Sequence, residues 1–194
     1  MLINRIIGAF TFRRKVYAGV ERDKSFTTTA WILVVVIAFL NQLGAYPSLE
    51  NPVNWLLSAL IGTVFAIVGF ALSAFVISWV GRAVFKAKTN FGEVVRTLGL
   101  AYVWNVVGVI GALVVLAPTA LACIAAPVLF IAWILKLLAS LVAVKEALDL
   151  DWLRTIITVI LGWVVEVVLV LLASTVLATL GLATTAALGG LPGF

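Results

Sequence analysis

The sequence contains no histidine, and Cys123 is its only cysteine. Histidine-paired nucleophiles, His/Cys metal sites and intrachain disulfides are therefore excluded by composition. Charged residues are also scarce, at 11% of the 194 residues, against about 25% in ordinary soluble domains. Apolar residues make up 64%, more than a soluble globule of this length could hide from water. The composition thus predicts a membrane protein with no metal or cofactor, and it gives no basis for an enzyme.

Five apolar runs are long enough to cross a hydrocarbon core of about 30 Å, which takes about 20 helical residues. We place these predicted spans at residues 29–45, 53–80, 96–116, 119–144 and 152–182. The predicted fold is an all-α bundle of five transmembrane helices. An interfacial segment at residues 1–28 precedes the bundle, and an external tail at 183–194 follows it.

Three local features predict where the third and fourth helices begin and end. Asn90 and Glu93 have the spacing of a capping box, so the third helix is expected to start ahead of Arg96. Pro118 is expected to end the third helix and to open the fourth. Pro127 lies inside the fourth run, where it predicts either a kink or a late helix start.

The net charge of +5 is distributed unevenly along the chain. Twelve of the thirteen Lys and Arg residues precede the first span, separate the second from the third, or flank the link between the fourth and fifth. The connections at 46–52 and 117–118 and the tail contain neither Lys nor Arg. The positive-inside rule then predicts a multi-pass protein of the cell (inner) membrane, with a cytoplasmic N-terminus and an external C-terminus. Because orientation accounts for the basic surplus, no nucleic-acid partner is expected.

The segment 1–28 combines apolar residues near helical spacing with a basic cluster. This pattern is typical of a short helix that lies in the membrane interface, where each cation gains about 1 kcal/mol from anionic lipid headgroups. The alternative is a positive anchor that only sets topology. The candidate membrane-surface residues on this side are Arg13, Arg14, Lys15, Arg82, Lys86 and Lys88.

Lys136 in the fourth span and Glu166 in the fifth are the only Lys, Arg, Asp or Glu residues deep in a predicted span. Each is expected to face protein or water, because an ionised side chain that faces lipid costs several kcal/mol. At about 1.5 Å per residue their depths differ by about one helical turn, and a short link joins the two spans. A Lys136–Glu166 pair is therefore a reasonable hypothesis. Asn105 in the third span lies at a depth similar to that of Lys136.

Two interpretations of this polar cluster compete. It is either a buried ion pair that fixes helix register, with Asn105 hydrogen-bonding across helices, or a proton or ion relay or the lining of a polar cavity. Glu166 can also be protonated, which lessens its need for a partner.

Small residues follow one face of the second span, at Ser58, Gly62, Ala66, Gly69 and Ser73. This small-xxx-small pattern allows helix backbones to approach closely. It is a packing signal, and the helix that packs there belongs either to the same bundle or to a second copy of the chain.

Three stretches together resemble a known family. They are RIIGAF at residues 5–10 with VERD at 20–23, FGEVVRTLGLAY at 91–102, and VAVKEALD at 142–149. With five predicted spans and an inside N-terminus, the chain resembles the Yip family, the Ypt/Rab-interacting membrane proteins and their prokaryotic relatives. The resemblance extends over nearly the whole chain. The family often carries a proline a few residues after Gly99, where this chain has Val103 and Trp104.

The resemblance implies a role in membrane organisation or partner binding, and the residues themselves offer no candidate for catalysis. Eukaryotic members bind lipidated Rab GTPases and shape membranes, and they carry a long polar N-terminal region. Here a short basic segment precedes the first span, so the chain is more similar to the prokaryotic members. We expect a membrane-organising or partner-binding protein that contacts anionic headgroups and either a protein partner or a second copy of itself. The alternative is a small transporter or channel subunit that uses Asn105, Lys136 and Glu166.

Overall fold

The computed structural model describes residues 2–45, 47–116 and 118–182, without the side chains of Val115, Pro118 and Thr119. These residues form the helices α1 (Leu2–Phe10), α2 (Arg14–Arg22), α3 (Phe26–Ala45), α4 (Pro52–Ala83), α5 (Phe91–Ala101), a 3₁₀ helix (Tyr102–Leu116), α6 (Pro118–Leu148) and α7 (Trp152–Thr179). No β-strand occurs in the described part of the chain. The tail expected at 183–194 lies outside the described residues.

Five described helical segments are long and apolar enough to cross a membrane. They are Phe26–Ala45, Pro52–Ala83, Phe91–Val114, Ala120–Leu148 and Trp152–Thr179. The prediction of an all-α protein with five spans is therefore confirmed. Most of the helices continue beyond the predicted apolar runs, because hydropathy marks only the part of a helix that lipid can cover, whereas the helix itself extends into the polar interface.

The third span is not the continuous α-helix that the sequence predicts. Its start is as expected: the Asn90 side chain accepts a hydrogen bond from the Glu93 N–H, and the Glu93 carboxylate accepts one from the Asn90 N–H, both at 3.0 Å. From Tyr102, however, the chain continues for 15 residues as a 3₁₀ helix. Such runs rarely exceed 3 to 4 residues, but at about 2.0 Å per residue this one is roughly 30 Å long, enough to cross the hydrocarbon core.

The spans form a bundle in which α3 packs between the 3₁₀ helix and α4. Helix α7 packs mainly along α4, whereas α6 packs mainly against the 3₁₀ helix and α5. The short link between α6 and α7 led us to expect close neighbours. The two helices do touch, but each contacts its main partner more extensively.

Helices α1 and α2 dock on one end of the bundle, which we call the basic end and which comprises residues 2–28, 82–90 and 145–154. The sequence predicts one short helix in this N-terminal segment. The structure has two because the chain turns at Phe12, whose φ of 52° lies in the left-handed region. The Arg14 guanidinium then lies 5.4 Å from the ring centroid of Trp152, and its Nε lies 3.9 Å from the Glu146 carboxylate.

Glycine lets α3 and the 3₁₀ helix meet backbone to backbone. A Cβ atom added to Gly44 would overlap the main-chain carbonyl of Gly108. A Cβ atom added to Gly108 would overlap the side chain of Asn41. A larger residue at Gly44 would need a shift of the backbone, and one at Gly108 would need the Asn41 side chain to move. These two glycines therefore allow the close approach of the first and third spans.

The stripe of small residues on α4 packs within its own bundle. A Cβ atom added to Gly62 would overlap the Gln42 side chain of α3. On the other flank, Ser73 meets α7, where its Oγ lies 2.8 Å from the position that a Cβ atom of Gly162 would take. Gly69 also faces α7. The stripe therefore serves intrachain packing, which decides between the two possibilities that the sequence leaves open.

Helix α6 begins at Pro118, as predicted, and continues through Pro127 to Leu148. The interpretation of Pro127 as the mark of a late helix start is therefore wrong. A proline inside a transmembrane helix is tolerated because neighbouring groups can satisfy the backbone carbonyl that loses its donor.

Candidate functional site

The intramembrane cluster is built on an ion pair between α6 and α7. The Nζ atom of Lys136 lies 2.8 Å from Oε2 of Glu166, the distance of a charge-assisted hydrogen bond. The two side chains are 18% and 24% exposed. The structure thus brings together the two ionisable side chains that were paired from the sequence. As a pair they carry no net charge, which lowers the cost of placing either one in the hydrocarbon region.

Tyr102 is a member of this cluster that the sequence analysis missed. Its ring centroid lies 5.6 Å from the Lys136 Nζ, within cation–π range, and 5.5 Å from the ring of Phe70 on α4. Its hydroxyl interacts with the Asn105 side chain. The signal that could have found it is its i,i+3 spacing from Asn105, because a helix with three residues per turn stacks such residues in one row.

Two indole rings lie beside the ion pair. Trp133 and Trp163 meet edge to face with ring centroids 6.2 Å apart, and each lies three residues from the charged member on its own helix. Such ring pairs contribute about 0.5–1.5 kcal/mol beyond the area they bury. An ion pair and a ring contact therefore join α6 and α7 midway along their length.

The geometry of the cluster favours a structural bond over a conduction path. One acid and one base neutralise each other here, whereas relays string several ionisable groups together. Two shallow grooves of about 250 Å³ and 240 Å³ lie on the surface around Arg5, and no member of the cluster lines either groove. Within the described residues, no three His, Cys, Asp or Glu side chains converge on a metal site.

Arg96 ties the N-terminal helices to the third span. Its side chain is buried, with the residue only 5% exposed. Its Nε donates to the main-chain oxygens of Val20 at 3.2 Å and Glu21 at 3.0 Å, and its Nη2 also donates to the Glu21 oxygen. Its Nη1 donates to the Thr27 hydroxyl at 3.3 Å. The two carbonyls belong to the last turn of α2, where a helix carries partial negative charge. From the sequence, Arg96 was grouped with the basic flanks, and its hydrogen bonds to α2 were not predicted.

Apolar contacts support the same docking. Phe10 packs edge to face on Trp104 with ring centroids 4.8 Å apart, and Phe12 stacks on the same indole at 5.7 Å. Tyr17 and Val20 of α2 are fully buried. Burial raises the pKa of the Tyr17 hydroxyl, because the phenolate form would lose its hydration. Helices α1 and α2 are thus part of the folded bundle.

Arg5 and Asp23 connect α1 to the turn after α2. The Arg5 Nη2 lies 2.7 Å from the Asp23 Oδ2, and the guanidinium lies 4.9 Å from the ring centroid of Phe26. The Ser25 hydroxyl and N–H donate to the Asp23 Oδ1 at 2.5 Å and 3.1 Å. The bond from the Ser25 hydroxyl, followed by the bond from Arg5, holds the pKa of the Asp23 carboxyl below its ordinary value.

The outer surface of the basic end combines cations with an apolar stripe. The six candidate membrane-surface residues are all exposed: Arg13, Arg14, Lys15, Arg82, Lys86 and Lys88. On α1, Ile3 and Ile7 lie one turn apart and are 70% and 50% exposed. A helix that exposes an apolar stripe beside cations is suited to lie in the lipid interface.

The Glu21 carboxyl at the basic end lies near carboxylates of two other helices. Burial raises the pKa of the Glu21 carboxyl, and the like charges of Glu93 and Glu146 raise it further. Arg22 and Arg96 act in the opposite direction. The net effect is a raised pKa, so ionised Glu21 opposes the docked position of α2.

Comparison with known proteins gives one match. A family model described as the Yip1 domain matches residues 7–175. The matched range begins in α1, ends in α7, and includes both Arg96 and the intramembrane cluster. No curated protein and no solved structure matches the chain.

Proposed function

This chain is a multi-pass membrane protein of the Yip1 domain family, and from that premise we propose that it acts without catalysis, as a membrane-organising and partner-binding protein. Its basic end holds anionic headgroups of the cytoplasmic leaflet, in the orientation that the positive-inside rule favours. Residues 1–28 then form a cytoplasmic interfacial segment, residues 29–182 the transmembrane domain and residues 183–194 an external tail.

The observation that carries this proposal is the docked pair of helices α1 and α2. Arg96 fixes the end of α2 to the third span, and Trp104 packs against the rings of Phe10 and Phe12 at the end of α1. The surface that results is held in place by the bundle, with Ile3 and Ile7 exposed beside the basic residues. A surface that is ordered before binding loses less conformational entropy when it binds.

The positive charge of the basic end supports the proposal that this end first contacts a lipid surface. Basic residues near an anionic leaflet contribute about 1 kcal/mol each, and the exposed apolar side chains of α1 add the burial of their surface in the acyl boundary. The same cations and exposed apolar side chains offer a protein partner a surface at the membrane, which agrees with membership of the Yip1 domain family.

The second hypothesis, a small transporter or channel subunit, gains no support from the described residues. Lys136 and Glu166 bond to each other, and neither surface groove is lined by them. We therefore assign the cluster a structural role within the proposal.

Site-specific photo-crosslinking in native membranes tests the proposed function. A photoreactive phenylalanine analogue replaces either Thr28, exposed at the basic end, or Leu49, exposed at the opposite end. We expect position 28 to give adducts enriched in anionic lipid, together with one reproducible protein adduct. Position 49 should give neither. Equal adducts at both positions, or no anionic lipid at position 28, would contradict the proposal.

A further inference from the structure

A groove between α1 and α2 opens on the basic end. It has a volume of about 240 Å³ and is lined by Asn4, Arg5, Lys15, Val16 and Gly19. Two of the lining residues are cations, one is an amide and none is an acid. The groove on the other side of Arg5, lined also by Leu2, Ser25, Phe26 and Thr29, contains a single cation. The first groove is therefore the better anion site.

The two helices are held together on one side of the groove and leave its floor open. A Cβ atom added to Gly8 would lie 2.5 Å from the Cγ2 of Val16, so α1 and α2 pack closely there. A Cβ atom added to Gly19 would meet nothing within 4 Å. The missing side chain of Gly19 thus leaves room for a ligand, and a larger residue could fill that room without a clash with the protein.

The two cations that line the groove differ in whether they already have a partner within the protein. Arg5 is held by its bond of 2.7 Å to Asp23 and by the ring of Phe26, so its guanidinium is positioned in advance. A guanidinium has five N–H donors, so the bond to Asp23 leaves others for a ligand. Lys15 makes no hydrogen bond or ion pair with the described part of the chain, and its ammonium is available.

The first turn of α2 adds positive potential to the same groove. Lys15 and Val16 belong to that turn, and the N-cap residue Arg13 supplies no side-chain hydrogen bond to it. The N–H groups at the start of a helix carry partial positive charge and favour anions.

The position of the groove indicates which anion it meets. Asn4 lies on α1 directly after Ile3, whose exposed side chain forms the apolar stripe with Ile7. If that stripe lies in the acyl boundary, the groove lies at headgroup level. We propose that the groove binds the phosphate of an anionic phospholipid, with Arg5 and Lys15 donating to the phosphate oxygens. This inference rests on the proposed function, because it places the basic end at the leaflet surface.

Calorimetric titration of the full chain in a neutral detergent tests this site. The probes are dioctanoyl phosphatidylglycerol, dioctanoyl phosphatidylcholine and inorganic phosphate. We expect phosphatidylglycerol to bind most tightly, Lys15→Gln to weaken it about fivefold, and Gly19→Leu to abolish it. Lys24→Gln is the matched control, because it removes the same charge from an exposed lysine that lines neither groove. Leucine favours helix more than glycine does, so Gly19→Leu should keep α2 folded.

Three outcomes would overturn the site. Equal weakening by Lys15→Gln and Lys24→Gln would indicate diffuse attraction. Unchanged binding in Gly19→Leu would show that the groove is not occupied. Inorganic phosphate that binds as tightly as phosphatidylglycerol, with the same dependence on Lys15, would indicate a site for free phosphate. None of these outcomes affects the crosslinking experiment at position 28, which tests the proposed function independently of the groove.

Discussion

Arg96 of α5 donates to the main-chain oxygen of Glu21, so a cation buried in the third span closes the last turn of α2. A buried guanidinium usually meets a carboxylate, but here carbonyls at a helix end take that role. The bond thus fixes the position of the N-terminal helices relative to the bundle. Hydrogen bonds to charged groups contribute about 1.5–3 kcal/mol each, and loss of this one should therefore be measurable.

Replacement of Arg96 by glutamine should release α2. The variant keeps polarity but loses the fork of donors and the charge, so the docking free energy should fall by about 1.5–3 kcal/mol. Hydrogen exchange of the α2 amides measures this as loss of protection, while α4 and α7 should keep theirs. Lys24→Gln is the matched control, because Lys24 is exposed and lies outside α2. Unchanged protection in Arg96→Gln would show that the bond does not hold α2.

The Lys136–Glu166 pair should stabilise the contact between α6 and α7. Glu166→Gln leaves the Lys136 ammonium without its ionised acceptor, and we expect a loss of about 1–3 kcal/mol, less than for a fully buried pair. Lys136→Met should cost a similar amount, and the double variant should cost less than the sum of the two. Thermal unfolding in detergent measures the cycle, with Glu50→Gln as an exposed control. Additive effects, or no change in Tm, would exclude a structural bond.

Two glycine-to-alanine changes should differ sharply. In Gly44→Ala the new Cβ overlaps the carbonyl of Gly108, and because backbone cannot yield as a side chain can, we expect a loss of at least about 1–3 kcal/mol. In Gly69→Ala the nearest atom, the Leu169 Cβ, lies at 3.4 Å, an ordinary contact, so little loss is expected. Thermal unfolding of the two variants compares them directly. Equal Tm values would show that the first and third spans do not approach as closely as the structure has them.

The docking of α2 should depend on pH through Glu21. Its pKa is raised in the docked state above the ordinary value of 4.5, so docking is favoured while the carboxyl is protonated and weakens as pH rises through the raised pKa. Glu21→Gln removes this penalty. We expect its α2 amides to be better protected than wild type at neutral pH and equally protected below pH 4.5. A difference that persists in acid would assign the effect to something other than ionisation of Glu21.

The membrane itself makes several features of this fold predictable from sequence. Lipid forces backbone polar groups to bond within a helix, so apolar length alone predicts five spans. The membrane normal also gives each span a common scale of depth, and on that scale Lys136 and Glu166 lie within reach of each other. The capping box of Asn90 and Glu93 is local, and its spacing suffices to predict it.

The features that the sequence did not predict depend on contacts between distant segments. Tyr102 begins the 3₁₀ helix, but its neighbours are equally compatible with an α-helix, and the close approach at Gly44 and Gly108 joins residues far apart in the chain. In the sequence, Arg96 resembles any basic residue that flanks a span. The carbonyls to which its guanidinium donates come within reach only when α2 docks. The turn at Phe12 likewise depends on where α1 and α2 pack.

The lipid composition of native nanodiscs tests the central claim, that the basic end concentrates anionic headgroups. The chain is extracted from its membrane with a styrene–maleic acid polymer, and its lipids are quantified by mass spectrometry. A variant replaces all six surface cations by glutamine: Arg13, Arg14, Lys15, Arg82, Lys86 and Lys88. A control exchanges Lys and Arg at the same positions. We predict that wild type and control carry a higher anionic fraction than the bulk membrane, and that the glutamine variant returns to the bulk value. A wild type with bulk composition, or a glutamine variant that keeps the enrichment, would contradict the account.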